Sequence, residues 1–399
     1  MTVRRRASRQ PGHPRTALGL LALVAMVAAC TSSPPAGHPS GDAAPSTAAP
    51  AKPTVEPTAT PATTPGPAHP PIRYTCPCTG LVPGSDPSVL PGPVLIADHM
   101  NNRLRVLDPT GKISWEFPRP GDVLPGQSFE SPDDAFFTPD GRQIVVTQED
   151  DEMISLVDIA RHRIIWTYGR AGQPGMGDDQ LDHPDDAMMN PQGDIVLADI
   201  KNCRVLVLRP PLTHPVHIYG ESTNDCWHDP PLHWGSPNGA FPMQDGQYVV
   251  TEINGDWADG LNLDGQVTFS THPPGVGYPS DTNEVSPGVF LTADFSTPGQ
   301  IVEFDGSGRL LWRYDPPAPD AMNRPSLALP LPNGDILCND DYNDRVIVVD
   351  PRTNRIVWQY GHTGVPGGAP GYLDDPDGVD LAPPYSLTAT HASTMGRYP

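Results

Sequence analysis

The sequence predicts an all-β fold, a six-bladed β-propeller of four-stranded blades whose ring is closed by the C-terminal strand. Three observations predict it. Apolar runs ending in an acid recur as VLIAD (to Asp98), IVVTQE (to Glu149), IVLAD (to Asp199), YVVTE (to Glu252), VFLTAD (to Asp294) and ILCND (to Asp340), at steps of 51, 50, 53, 42 and 46 residues. Proline-marked turns at Pro132, Pro184, Pro237, Pro279, Pro325 and Pro376 keep the same rhythm, at 52, 53, 42, 46 and 51 residues. Between these marks lie short apolar runs separated by turn signals such as Pro139-Asp140-Gly141 and Pro332-Asn333-Gly334. Units of this length with four strands each read as propeller blades.

The chain begins before the repeats do. Residues 1–29 carry Arg4, Arg5, Arg6, Arg9 and Arg15 with no acid, then an apolar run from Ala17 to Ala29. Thirteen residues are too few for a permanent span, which needs ~20. A basic region, a short apolar region and small residues before a cut make a secretory signal. The Val27-Ala28-Ala29-Cys30 ending resembles the lipobox of bacterial lipoproteins. That resemblance implies cleavage before Cys30 and a lipid on its thiol, hence an extracellular, membrane-anchored protein. The triple arginine also suggests a twin-arginine signal, but no Phe-Leu pair follows it. Residues 30–72 are Pro, Ala, Thr and Ser with almost no large apolar side chain, a composition that cannot offset its chain entropy and reads as an extended tether. Residues 73–92 lead into the repeats at 93–384, and 385–399 form a tail without a readable pattern.

Within the repeats, the first unit opens directly on PVLIAD, without a proline-marked strand of its own, and the last unit ends with a spare one, Pro376 to Leu381. Placing the spare strand innermost in the first blade closes the ring, removes its open edges and points to a monomer. The segment YGRAGQPGMGDDQLDHPDDAMMNPQGDIVLADIKNCRVLVL, Tyr168 to Leu208, resembles the NHL-repeat family of six-bladed propellers. It has the glycine-rich lead-in, the proline-marked strand, the V-x-A-D strand and the N-x-R-V element. The fourth and fifth units depart, with NGDWADG and FSTPG in place of Asn-x-Arg. The resemblance implies the fold but no single activity, since such propellers bind proteins, RNA or sugars and a few are enzymes. Trp115, Trp166, Trp312 and Trp358 occupy equivalent positions in W-x-Y-like strands. These are similar to strands of the quinoprotein-like and arylsulfotransferase-like propellers, but outer-strand tryptophans packing blade on blade explain them without a quinone.

Composition limits the partners. Five of the 25 basic residues lie in the leader, leaving 20 against 47 acidic, a formal charge near −27. Such a chain repels phosphate backbones, so nucleic-acid binding is excluded, whereas cations and basic partners are attracted. Of the cysteines beyond Cys30, Cys203 and Cys226 fall in one repeat and are expected to form a disulfide. Cys338 sits in an apolar run as a buried thiol, and Cys76 and Cys78 pair locally or with a partner elsewhere.

In a propeller the starts of the innermost strands converge on one channel mouth. Aligned on the proline, the next two positions are Asp133-Asp134, Asp185-Asp186, Asn238-Gly239, Ser280-Asp281, Ser326-Leu327 and Asp377-Gly378. The loops after the second strands add Asp98-His99, Glu149 to Glu152, Glu252 and Asp340-Asp341. A ligand site is therefore expected from Asp133, Asp134, Asp185, Asp186, His183, Asn238, Asp281 and Asp377, with Asp134, Asp186 and Asp281 as metal ligands. Hard oxygen donors suit Ca²⁺ or Mg²⁺ far better than Zn²⁺, and a bound Ca²⁺ would offset the repulsion among them. The competing explanation is that aspartate after proline simply bonds backbone N–H groups in an Asx turn. His99, His183 and His233 fall near the same face and raise a zinc triad as a further option. No nucleophile elbow or phosphate loop is present. The leading functional reading is a lipid-anchored propeller that binds a protein or small-molecule partner on its acidic face. The alternatives are a metal-dependent hydrolase, lactonase or lyase at the mouth, or an arylsulfotransferase-like transferase.

Overall fold

The computed structural model describes residues 80–396. Cys30, the tether, Cys76 and Cys78 lie outside that range. Six four-stranded antiparallel sheets are present, one per blade. The innermost strands are Pro376–Leu381, Pro132–Phe137, Pro184–Met189, Pro237–Pro242, Pro279–Ser286 and Ala328–Pro330, in blades 1 to 6. Blade 1 is the composite: Pro376–Leu381 pairs antiparallel with Val94–Asp98, in register Val94 with Leu381, and so joins the two ends of the ring.

The second strands are apolar on both faces because each sheet is packed between its neighbours. Val94–Asp98, Ile195–Asp199 and Ile336–Asp340 are buried throughout. Three of the strands ending in an acid repeat one polar device. Asp98, Asp199 and Asp340 stand opposite Arg103, Arg204 and Arg345 on the third strand and bond to them at 2.7 Å. The Asp199–Arg204 and Asp340–Arg345 pairs are almost wholly buried. The N-x-R-V signature is thus a buried ion pair in a three-residue 3-10 turn, with Asn101, Asn202 and Asn343 donating amide bonds to the same carboxylates.

The tryptophans sit on fourth strands and tie blades together. The Trp115 indole N–H donates to the Ile159 carbonyl of blade 2, Trp312 to Asn354 of blade 6, and Trp358 to the Pro109 carbonyl of blade 1. Cys203 and Cys226 form a disulfide, with Cα atoms 5.2 Å apart, while Cys338 is a buried free thiol.

The segment after the ring, which shows no pattern in sequence, has a structural place. Ser386 caps a short helix, Leu387–Thr390, and the chain runs across the ends of the innermost strands opposite the proline marks. The Thr388 hydroxyl bonds the Phe137 carbonyl, Asn190 bonds the Gly396 carbonyl, and the Thr394 hydroxyl reaches the Met243 carbonyl. Leu387 and Met395 are buried there. The tail therefore packs on one end of the channel and leaves the proline-marked end as the mouth.

Candidate functional site

Five of the six innermost strands begin at a proline, and in blade 6 Pro325 stands three residues ahead of the strand; in all blades but the fifth a sharp turn precedes the proline. Ser131, His183, Ser236, Arg324 and Asp375, each directly before the proline, all have φ between 45° and 56°. A side chain in that left-handed region is unfavourable, and its recurrence in five blades marks a turn enforced by the surrounding ring. The turn aims the two residues after the proline into the channel.

The result is a dense set of buried carboxylates. Asp186 and Asp281 are fully buried, and Asp133, Asp134 and Asp185 nearly so. One carboxylate oxygen from each of Asp134, Asp186 and Asp281 lies within 4.8 Å of the others, and Asp133, Asp134 and Asp185 form a second such group. Three blades (2, 3 and 5) supply the first trio. Asp186 accepts no hydrogen bond at either oxygen, and one oxygen each of Asp134 and Asp281 is likewise without a partner. Among these five aspartates only Asp185 accepts a backbone N–H, that of Asp186, at 2.8 Å. The Asx-turn explanation therefore fails for the other four.

Two glycines make the crowding possible. A Cβ on Gly239 would stand 2.3 Å from Asp186 Oδ2 and 2.8 Å from Asp281 Oδ1, and one on Gly378 would stand 2.8 Å from Asp134 Oδ1. The Asn238 amide bonds the Ser280 hydroxyl at 3.1 Å and approaches Asp281 Oδ1 at 3.5 Å.

Burial dominates the protonation of the set. It pushes Asp134 and Asp186 well above the carboxylate range, with Asp281 adding to each. Burial and then Asp377 raise Asp133 in the same way. Asp281 is pushed up to about 8, partly offset by Asp186, and Asp185 only to about 6, because bonds to its charged form hold it down. Without a counter-charge these groups hold protons that a cation would displace.

Above the trio opens a cavity of about 280 Å³. Asp133, Asp134, Asp185, Asp377 and Glu149 give it carboxylate walls, Lys201 is its one basic side chain apart from His183, and the Tyr278 and Phe295 rings flank it. Those two rings lie 5.4 Å apart, centre to centre. Arg324 is held outside, over the Phe295 and Tyr342 rings. Lys201, Tyr278 and Phe295 carry no motif. Their only mark in sequence is position: two residues after Asp199, one before Pro279 and one after Asp294.

Other residues expected at the mouth go elsewhere. Asp98 and Asp340 are taken by their arginines, whereas Asp341 stays buried and is raised by Asp377 after burial itself. Asp150 is largely exposed, and Glu152 turns back to accept the His183 N–H at 2.6 Å. Glu252 points away, to Asp259 and His228. The three histidines do not converge. His99 Nδ1 is 4.0 Å from Asp133, His183 lines the cavity between Asp182 and Lys201, and His233 packs at a tilt against the Trp227 ring. The zinc triad is therefore not assembled: among the described residues no close group of metal donors holds two histidines.

No protein family is matched by the sequence, and no curated protein matches it. Solved structures do match in fold. A Bacteroides caccae protein of unknown function is 15% identical, covers 72% of this chain and 98% of its own, and has a TM-score of 0.51. A streptogramin B lyase is 18% identical over 77% of this chain and 92% of its own, at a TM-score of 0.49. Virginiamycin B lyase from Staphylococcus aureus is 17% identical over 67% and 83%, at 0.47. The chain is a six-bladed propeller. At these identities the likeness extends to fold and no further.

Proposed function

We propose that this protein is a binding propeller that takes a small cationic molecule in its acidic mouth, above a Ca²⁺ ion held by Asp134, Asp186 and Asp281. The observation that carries the reading is the buried trio with four unpartnered carboxylate oxygens. Unpaired charges at such depth are strongly unfavourable, and a hard divalent cation is the counter-ion that oxygen donors suit. The remaining acids and the Tyr278 and Phe295 rings form walls of the kind that hold an organic cation by charge and by ring faces. A cavity of about 280 Å³ favours a small molecule over a protein loop. The Asp–Arg turns in three blades further support placing the chain among NHL-type propellers.

Elemental analysis of the full chain purified without chelator tests the ion. About one Ca²⁺ per chain is expected, and none in Asp186→Asn; a folded wild type free of calcium overturns that part. Cadaverine tests the ligand class: it is expected to raise the melting temperature of the wild type but not of Asp185→Asn, and equal shifts count against the mouth.

One observation favours the second reading, a metal-dependent hydrolase, lactonase or lyase. Asp185 at about 6, outside the ion's ligand set, titrates in the range a general acid or base needs near neutrality. Turnover of a lactone or ester series, abolished by Asp185→Asn, would replace simple binding with catalysis. An arylsulfotransferase-like activity would need a catalytic histidine at the mouth, and His183, oriented by Asp182 at Nδ1, is the histidine that lines the cavity.

The proposed setting is the extracellular side of a bacterial membrane, with Cys30 lipidated and residues 30–72 holding the propeller off the surface. Cys30→Ala is expected to release the protein into the medium, and retention in the membrane fraction would remove the anchor.

A further inference from the structure

Blade 4 breaks the pattern that blades 1, 3 and 6 share. The acid ending its second strand is Glu252, and the residue opposite it in register is Trp257, where the other three blades place Arg103, Arg204 and Arg345. Side chains alternate along a strand, so the residue two positions on shares that face. It is Asp259, where the other blades carry Arg105, Leu206 and Ile347. One buried acid has thus lost its guanidinium and gained a second acid.

Both carboxylates are fully buried. Neither oxygen of Asp259 accepts a hydrogen bond, and Glu252 Oε1 is also without a partner. Burial raises the Asp259 carboxyl above the usual range, an effect the Ser270 hydroxyl only partly offsets, and the Gly235 N–H bonds Glu252 Oε2. A Cβ at Gly235 would stand 2.5 Å from that oxygen, so glycine is what admits the carboxylate.

The group facing this pair is an imidazole. His228 Nδ1 is 3.1 Å from Glu252 Oε2 and 3.7 Å from Asp259 Oδ2. Its ring is stacked on Trp257, with centroids 4.1 Å apart and planes within 8°. Trp257 therefore supplies the orientation of a histidine in place of an arginine charge. The loop carrying His228 is pinned two residues earlier by the Cys203–Cys226 disulfide, and the Cys226 carbonyl accepts from the Asn254 amide at 3.0 Å.

We infer that His228, Glu252 and Asp259 form a second metal site, built for Zn²⁺ and separate from the channel mouth. One nitrogen and two oxygens match zinc chemistry better than that of Ca²⁺ or Mg²⁺, which take oxygens alone. With bonds of about 2.0–2.1 Å, the edge of a zinc tetrahedron is roughly 3.3–3.4 Å. The two observed donor separations bracket that edge. Three protein ligands leave a fourth position for water or an incoming donor, reached past the partly exposed His228.

The test uses the full chain with its disulfide intact, stripped with chelator and then saturated with Ca²⁺ so that the mouth does not compete. After equilibration with Zn²⁺ and desalting, about one zinc per chain is expected in the wild type and equally in Asp186→Asn, which separates this site from the channel one. His228→Ala and Asp259→Asn are expected to weaken zinc binding at least about 100-fold, more than the loss typical of an outer-shell partner. Because a buried variant could fail by misfolding, His228→Ala is the decisive one: its side chain is partly exposed on a loop, and an unchanged melting temperature in chelator shows that the ring survives. Co²⁺ in place of Zn²⁺ is expected to give the visible absorption of a four-coordinate ion. A folded wild type that retains no zinc overturns the proposal and leaves a proton shared between Glu252 and Asp259. Wild-type zinc affinity in His228→Ala overturns it as well, and preference for Mn²⁺ over Zn²⁺ overturns the choice of metal.

Discussion

Gly239 shows how much of this site rests on a missing side chain. In all six blades the second residue after the marking proline is Asp, Gly or Leu, and at Gly239 there is room for nothing larger. Gly239→Ala would drive a methyl group into Asp186 Oδ2. We expect calcium retention to fall at least about tenfold with the fold preserved, the range seen when a metal ligand loses its positioning, measured by elemental analysis beside a thermal melt. Arg204 makes the opposite kind of claim. Its guanidinium is buried against Asp199 and also bonds the Ser222 hydroxyl and the Gln180 carbonyl. Arg204→Leu would strand Asp199 unpaired and is expected to cost about 3–5 kcal/mol in urea unfolding. A cost under about 1 kcal/mol would show that the pair is not structural.

At the level of elements, the closing strand carries the architecture. Pro376–Leu381 is separated in sequence from its blade partner Val94–Asp98 by the whole ring, yet it also supplies Asp377 to the mouth and Asp380 to the tail. Asp380 accepts the N–H groups of Phe137, Leu381 and Leu387, linking blades 1 and 2 to the terminal segment. A chain ending before Pro376 exposes the inner edge of Val94–Asp98 and is expected to aggregate, whereas one ending after Ala382 keeps the ring and stays monomeric. Size-exclusion chromatography separates the two outcomes, and a monodisperse product from the shorter chain would refute the closing role.

Over the whole molecule, the acidic mouth ties stability to pH and to metal. Asp185 and Asp281 titrate near 6 and 8 in the folded chain, against an ordinary value near 4. In the unfolded chain both lose their protons from about pH 4 upward, while the native state keeps them longer. The native state then binds more protons, so stability falls as pH rises. In chelator the melting temperature is expected to drop steadily from pH 4 to 8, and Ca²⁺ is expected to restore it most at the alkaline end. A melting temperature that rises over this range in chelator would contradict the shifts.

The fold was readable because a propeller repeats. Two markers spaced alike in six units identify strands, their order and the closure without any contact being known, and proline plus two residues is enough to align Asp134, Asp186 and Asp281 on one mouth. Sequence also identified Asp98, Asp199 and Asp340 as recurring acids, but it could not show that arginines five residues on withdraw them from the channel. Tyr278, Phe295 and Lys201 stayed hidden because single aromatic or basic residues beside a turn have no pattern until the ring gathers them. The fourth unit was visible as a departure, NGDWADG, and nothing more. Only the tertiary structure decided that this departure sets Asp259 against Glu252, since the pairing depends on register across two strands, and that His228 arrives from a loop outside the unit. Local spacing determines which residues share a strand face; which unpaired charges meet in the dark of the core is settled by packing between elements that lie far apart in the chain.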